Sequence, residues 1–238
     1  EILDEWDWTE HFAAQPEVMQ YLNFVADKFD LRRDMQFETW IKSASYDETN
    51  NEWEVLSDSG IRARAKFLIS AMGPLSAMQM PTFDGIESFQ GDWCHTYHWP
   101  HEAVDFTGQR VAVVGTGATG VQVIQTIASQ VDHHTLFQRR PNYCSQLGNS
   151  KITKQEMSEI RANYPEIFRK CAESFGVFIH RMDSRSTFDL SDEEREAYFE
   201  ELYQQPGFAI WLANFGDTLT DQKANDVITA FIKRKIRE

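Results

Sequence analysis

Positive charge is scarce in this sequence. Its 238 residues carry 23 Lys+Arg against 37 Asp+Glu, a formal net charge of −14. Such a balance argues against a nucleic acid or an anionic membrane as the main partner. It does not exclude an anionic cofactor, which a few local arginines can hold. Long apolar runs are missing as well: no stretch approaches the ~20 residues needed to cross a bilayer. Cysteine is rare and odd in number, with Cys94, Cys144 and Cys171 at no C-x-x-C spacing. That pattern speaks against a disulfide framework and fits reduced thiols in a cytoplasmic protein. Internal repeats and low-complexity tracts are absent too. What is present suits a folded chain: 42% hydrophobic residues and 13% aromatics suffice for a substantial core, in one large domain or two small ones.

Glycine is also sparse, 12 in all, yet three glycines cluster in the stretch RVAVVGTGATGVQ, Arg110 to Gln122. Val111 to Val114 is a short continuous apolar run, the pattern of a strand buried on both faces of a parallel sheet. Gly115, Gly117 and Gly120 follow at G-x-G-x-x-G spacing, and Val121, Val123, Ile124 and Ile127 then recur with helical periodicity. In that context the first glycine permits a tight turn, the second lets a pyrophosphate approach the backbone, and the third lets the helix pack closely on the strand. The helix N-terminus supplies free N–H groups and the positive end of its dipole. The spacing alone is also met by a glycine-rich turn that binds nothing, and a second strand decides between the two. Thr135 to Gln138 is strand-like, and Arg139 and Arg140 follow it. They lie about twenty residues beyond the glycines, where an NAD site places a carboxylate on the ribose 2′-OH. Arginine there suits the 2′-phosphate of NADP rather than NAD.

Elsewhere the chain reads as mixed α/β. Pro16 opens a helix with Val18, Leu22, Val25 and Phe29 on one face. Alternation at Met35, Phe37, Thr39 and Ile41, a turn at 48–51, Trp53 and Val55, a turn at 58–60 and a run from Ile61 predict an antiparallel meander. Its last strand becomes wholly apolar toward Gly73, as if entering a buried sheet. Beyond Gly148 the pattern is helical. Ser191 to Glu194 forms a capping box, and 221–237 carries Ala224, Val227, Ile228, Phe231 and Ile232 on one face.

Between these parts, 74–108 shows little periodicity and holds Phe89-Gln90-Gly91-Asp92-Trp93-Cys94-His95-Thr96-Tyr97-His98-Trp99-Pro100-His101. His95, His98 and His101 do not share a helix face and Pro100 interrupts them, so no metal site is expected. Asp92, Glu102 and Asp105 read as solvated loop charges, and Trp93, Tyr97 and Trp99 as interdomain packing.

Phe89, Gly91, His95, Trp99 and Pro100 fit F-x-G-x-x-x-H-x-x-x-W-P, and on these residues the chain resembles the type I Baeyer–Villiger monooxygenases. The resemblance runs from end to end, including Trp6-Asp7-Trp8-Thr9, Asn23 to Lys28, Phe137-Gln138-Arg139, Gln146 to Ser150 and Pro206-Gly207-Phe208. It implies FAD in one dinucleotide-binding domain and NADP in another, with a small-molecule ketone and O2 as substrates and an ester or lactone as product. No side chain activates O2 by itself, so the cofactor must. Carried over, Gly115, Thr116, Gly117, Ala118, Thr119, Gly120, Val121 and Gln122 would hold the NADP pyrophosphate, and Arg139 the 2′-phosphate with Arg140 adjoining. The backbone at Ile41 would touch the FAD adenine. Ala71-Met72-Gly73 would be the strand end beside the flavin, with methionine a departure from the family pattern. His95 and Trp99 would lie at the domain junction, and no residue is assigned the chemistry.

The implied organisation is a partial FAD-binding domain over 1–88, a linker over 89–108, the start of a Rossmann-like NADP-binding domain over 109–148, and a helical insertion over 149–238. The chain lacks the family's first G-x-G-x-x-G, the family's lysine–arginine pair is expected beyond Glu238, and the chain opens on Glu1 and stops within or just after a helix. An internal portion of a longer enzyme is therefore expected. Two other readings stay open: a catalytically inactive truncated NADP-binding module, and another flavin monooxygenase such as an N-hydroxylase.

Overall fold

The computed structural model describes residues 2–238. They form two compact units: residues 2–34 together with Tyr143–Glu238, and Met35–Asn142. The sequence boundaries at 88, 108 and 148 cut the chain differently from these units.

The unit Met35–Asn142 contains two sheets. β1 (Ile41–Asp47), β2 (Glu52–Ser57) and β3 (Arg62–Ala65) make an antiparallel meander in the order β1-β2-β3. Asp47 sets the first turn: its carboxylate accepts from the backbone N–H of Thr49 and Asn50 and from the Asn50 side chain. A register irregularity separates Ile41 from Ser43 at the start of β1. The meander is shorter at both ends than the alternation predicts. Residues 35–40 form no strand, and β3 stops at Ala65 instead of running to the wholly apolar segment. Phe67 and Ile69 are 83% and 87% exposed. An apolar run becomes a strand only where a neighbour pairs its backbone, and among the described residues none pairs with 66–73.

The second sheet is the parallel pair β4 (Arg110–Val114) and β5 (His133–Phe137), joined by α3 (Ala118–Ile127), a Rossmann-like βαβ unit. The expectation that β4 is buried on both faces is corrected. Val111 and Val113 are half-buried, whereas Val114 is 64% exposed. With two strands and one helix among the described residues, only one face of the pair is covered.

The other unit is helical. α1 (Ile2–Glu5) leads into Trp6 and Trp8, which pack on α2 (Gln15–Lys28). Trp6 meets Tyr21 at 5.5 Å and Phe24 at 5.4 Å, and Trp8 meets Tyr21 at 5.1 Å between ring centroids. Tyr21 and Phe24 are one turn apart and face the same way. The covered face of α2 is thus centred on the aromatic pair; of the Val18, Leu22, Val25, Phe29 stripe that periodicity suggests, Val25 is half-buried and the other three are exposed. The segment 9–12 binds 149–152 through the backbone bonds His11 N–H to Ser150 O (3.0 Å) and Ile152 N–H to Thr9 O (2.9 Å), and through Asn149. These bonds explain why the start of the chain joins its end in one unit.

α4 (Lys154–Ala162) begins with a capping box, Thr153 with Glu156, and α5 (Tyr164–Glu173) follows it. α6 (Asp192–Gln204) carries the predicted box of Ser191 and Glu194 and ends before Pro206. α7 (Ala209–Leu212) and α8 (Gln222–Arg237) complete the unit, with Asp221 capping α8. Phe199, Leu202, Ile210, Phe215, Ile228, Phe231 and Ile232 form one buried cluster. No described helix is long and apolar enough to cross a membrane.

The turn before α8 is tied down by Asp217, which accepts from the hydroxyls of Thr187 (2.6 Å) and Ser186 (2.7 Å) and from the Thr187 amide (2.9 Å). Burial by itself would raise the Asp217 pKa, but these bonds outweigh it and hold the carboxyl below its ordinary value. Asp183, hydrogen-bonded to Arg185 at 2.6 Å, is lowered to about 2. A depressed carboxylate pKa contributes stability above the unfolded value near 3.9 and loses it as pH falls through the folded value. The helical unit is therefore expected to lose stability from about pH 5 down to about pH 2. Urea unfolding midpoints across that range should show a slope that Asp183→Asn and Asp217→Asn flatten. An unchanged acid slope in both variants would contradict this account.

Candidate dinucleotide-binding site

The site is built on β4, whose end delivers the backbone into Gly115 at φ 103°, a conformation that L side chains rarely adopt. The Gly115 N–H donates to Phe137 O at 2.8 Å, so the turn leaves β4 still attached to the end of β5. Thr116 is the buried member of the turn, 8% exposed. Gly117 then caps α3 in extended conformation, and its carbonyl accepts the Val121 N–H at 3.0 Å. The first amides of α3 have no acceptor within the helix. No acidic side chain occupies its first turn, so the positive end of the helix dipole is free for an anion.

The glycines differ in what surrounds them. A Cβ at Gly117 would meet nothing within 4 Å, which leaves open space over the turn. A Cβ at Gly120 would lie 2.5 Å from the Gly115 carbonyl oxygen. That contact is shorter than any side chain tolerates, so glycine at 120 is what lets α3 sit against the end of β4. An open second glycine and a closely packed third are what a pyrophosphate site requires, and the residues present fit that group.

Arg139 and Arg140 follow β5 after Gln138 and are exposed. No carboxylate stands among Gln138, Arg139, Arg140, Pro141 and Asn142. Two further residues of this segment, Gln138 and Asn142, were not singled out by spacing. Gln138 Nε2 donates to Thr116 Oγ1 at 2.9 Å, and Asn142 Nδ2 donates to the Thr116 carbonyl at 2.7 Å. The pairs are separated by 22 and 26 residues along the chain, and no local pattern announces them.

The linker fingerprint is organised separately. His95 is half-buried and caps a short 3-10 turn over Thr96–His98. Its Nδ1 accepts the Tyr97 N–H at 3.1 Å, which leaves the ring proton of the neutral imidazole on Nε2. The Tyr97 hydroxyl donates to Ser76 O at 3.0 Å, and Trp99 packs on Phe106 at 6.1 Å. Among the described residues no hydrogen bond or ring contact joins His95 or Trp99 to Gly115 through Gln122. Nor do any three His, Cys, Asp or Glu side chains there gather as metal ligands. Ile41 opens β1 opposite Ser57, and Gly73, at the end of the apolar segment, lies in irregular backbone at φ 72°.

A parallel β–glycine turn–helix–β unit with an open anion-facing turn defines a dinucleotide-binding protein of the Rossmann-like class. The flavin-binding monooxygenase-like family matches residues 5–147, more than half of the chain, and the chain belongs to that family. Over its whole length it is 44% identical to a 2-oxo-Δ3-4,5,5-trimethylcyclopentenylacetyl-CoA monooxygenase of Pseudomonas putida, and 39% identical to a Baeyer–Villiger monooxygenase of Pseudooceanicola batsensis. The two alignments cover 45% and 44% of those proteins, so the chain spans less than half the length of the curated relatives it matches. Among solved structures, the crystal structure of OTEMO in complex with FAD and NADP superposes on 99% of this chain with a TM-score of 0.90 and 44% identity, covering 45% of the OTEMO chain. These relatives agree with the resemblance carried by the linker fingerprint.

Proposed function

We propose that this chain is a portion of an NADPH- and FAD-dependent Baeyer–Villiger monooxygenase. The reaction inserts one atom of O2 beside a ketone carbonyl to give an ester or lactone. The second oxygen leaves as water, and NADPH supplies the two electrons. The observation that carries the reading is the glycine turn: open at Gly117, closed at Gly120, and followed across β5 by two arginines with no carboxylate. The names of the relatives supply the reaction type, and the oxygen chemistry itself belongs to the flavin.

Within this reading, residues 109–148 begin the NADP domain. The stretch Thr116 to Gln122 holds the pyrophosphate at the start of α3, and Arg139 holds the 2′-phosphate with Arg140 beside it. Residues 1–88 belong to the FAD domain, where the backbone at Ile41 is the adenine contact. Residues 89–108 link the two domains, and 149–238 form the helical insertion. The three cysteines are free thiols, which supports a cytoplasmic setting.

The test is a single-turnover experiment with the flavin-loaded protein. NADPH should bleach the visible flavin absorbance under nitrogen, and air with a cyclic ketone should restore it with one lactone formed per NADPH. An N-oxidised amine as the sole product, with no ester from any ketone, would contradict the Baeyer–Villiger assignment.

In this reading His95 and Trp99 couple the lobes rather than perform chemistry, because junction loops set domain geometry. His95→Ala in the flavin-loaded protein is expected to slow flavin reduction or to lower lactone formed per NADPH, while NADPH still binds. Unchanged turnover together with unchanged coupling would remove this role.

A further inference from the structure

Thr116 is held from outside the glycine turn at both of its polar oxygens. Its hydroxyl accepts Gln138 Nε2 at 2.9 Å and its carbonyl accepts Asn142 Nδ2 at 2.7 Å. The preceding residue is held too, with Gly115 N–H on Phe137 O at 2.8 Å. Three bonds thus tie two successive turn residues to the segment that leaves β5. The turn needs such restraint. Gly115 and Gly117 bring maximal backbone freedom, and the space over Gly117 is open, since a Cβ there would meet nothing within 4 Å. Pro141 stands between the two side-chain donors and fixes its own φ, which stiffens the segment that carries them.

We infer that Gln138 and Asn142 are positioning residues that hold the Gly115–Gly117 turn in its nucleotide-ready conformation through Thr116, and so set the affinity for the dinucleotide. The inference rests on the dinucleotide-binding reading above. A flexible turn must be ordered when the pyrophosphate arrives, and that cost is subtracted from affinity; a turn already clamped avoids it. The clamp acts on the part of the site that contacts the pyrophosphate, which NADPH and NADH share. Loss of the clamp therefore weakens both nucleotides by the same factor, unlike loss of a 2′-phosphate contact.

The test uses the full 238-residue chain with Gln138→Met and Asn142→Leu, substitutions close in size that remove the donors. Each is expected to weaken NADPH and NADH about five- to tenfold, the range of one hydrogen bond. Thr116→Val combined with Gln138→Met should cost no more than either alone, since both break the same bond. Amide hydrogen exchange at 115–121, measured without nucleotide, should quicken in both single variants while exchange in α8 stays as in the wild type. That control separates a local clamp from general loss of the fold. If the wild type binds NADPH and both variants bind it equally well with unchanged exchange, the clamp is wrong and the dinucleotide reading stands. If the variants lose NADPH affinity but not NADH affinity, they act on the 2′-phosphate contact and the clamp is again wrong. A wild type that binds neither nucleotide would overturn the dinucleotide reading and this proposal with it.

Discussion

Arg139→Ala is expected to weaken NADPH binding ten- to a hundredfold and to leave NADH nearly unchanged. The residue follows β5, the strand parallel to the one that delivers the glycine turn. In this topology the ribose of the bound adenosine lies at the end of the second strand. A guanidinium can make two parallel hydrogen bonds to a phosphate dianion, and on this exposed side chain the contact as a whole is given the value of one bond to a charged group, about 1.5–3 kcal/mol. Losing the contact removes one to two powers of ten in affinity, at about 1.4 kcal/mol each. Arg140→Ala should cost less, because the neighbour supplies charge without the same reach. Fluorescence titrations with NADPH and NADH decide the matter. Equal affinity of the wild type for both would end the NADP assignment. A preference for NADPH that survives Arg139→Ala would end the residue assignment alone.

Phe231→Ala is expected to destabilise the helical unit by about 3–5 kcal/mol, the range for removing a buried aromatic ring. Phe231 is 1% exposed on α8. It meets Phe199 at 5.5 Å and Tyr203 at 5.8 Å between ring centroids, both on α6. Ion pairs flank that contact, Arg234 with Glu196 at 2.6 Å and Lys235 with Glu200 at 2.7 Å. The Arg234–Glu196 pair is exposed, and the Lys235–Glu200 pair, with Lys235 half-buried, lies at the surface; such pairs contribute little, so they cannot compensate for the cavity. Urea unfolding followed by circular dichroism measures the change. Phe175→Ala is the control: with 82% exposure it should stay within about 0.5 kcal/mol of wild type. Equal effects of the two substitutions would show that the cluster around Phe231 is not what holds the unit together.

Several elements were legible because their causes are local. The parallel pair β4 and β5, with β5 starting two residues before the predicted Thr135, the turn of Gly115, Gly117 and Gly120, α6 with its capping box, and α8 lie where periodicity and capping residues predict them. Other readings failed where the cause was distant. On α2, counting apolar positions favours Val18, Leu22, Val25 and Phe29, but only Val25 of these is half-buried, and the indoles of Trp6 and Trp8 select Tyr21 and Phe24. The apolar segment 66–73 has the composition of a buried strand, yet pairing needs a neighbour that composition does not supply.

The sequence by itself determined the nature of the site: which residues could turn the backbone, face an anion, or bear a charge for a phosphate. Those properties belong to single residues and short spacings, so they can be read along the chain. The tertiary structure alone decided how the site is held. Gly120 is confined by the carbonyl of Gly115, and Thr116 is bound by Gln138 and Asn142. The bonds to Gln138 and Asn142 join residues 22 and 26 positions apart, and they exist only because β4 and β5 lie side by side. Backbone hydrogen bonding between strands carries no sequence label, and that is why these partners became visible only in the folded chain.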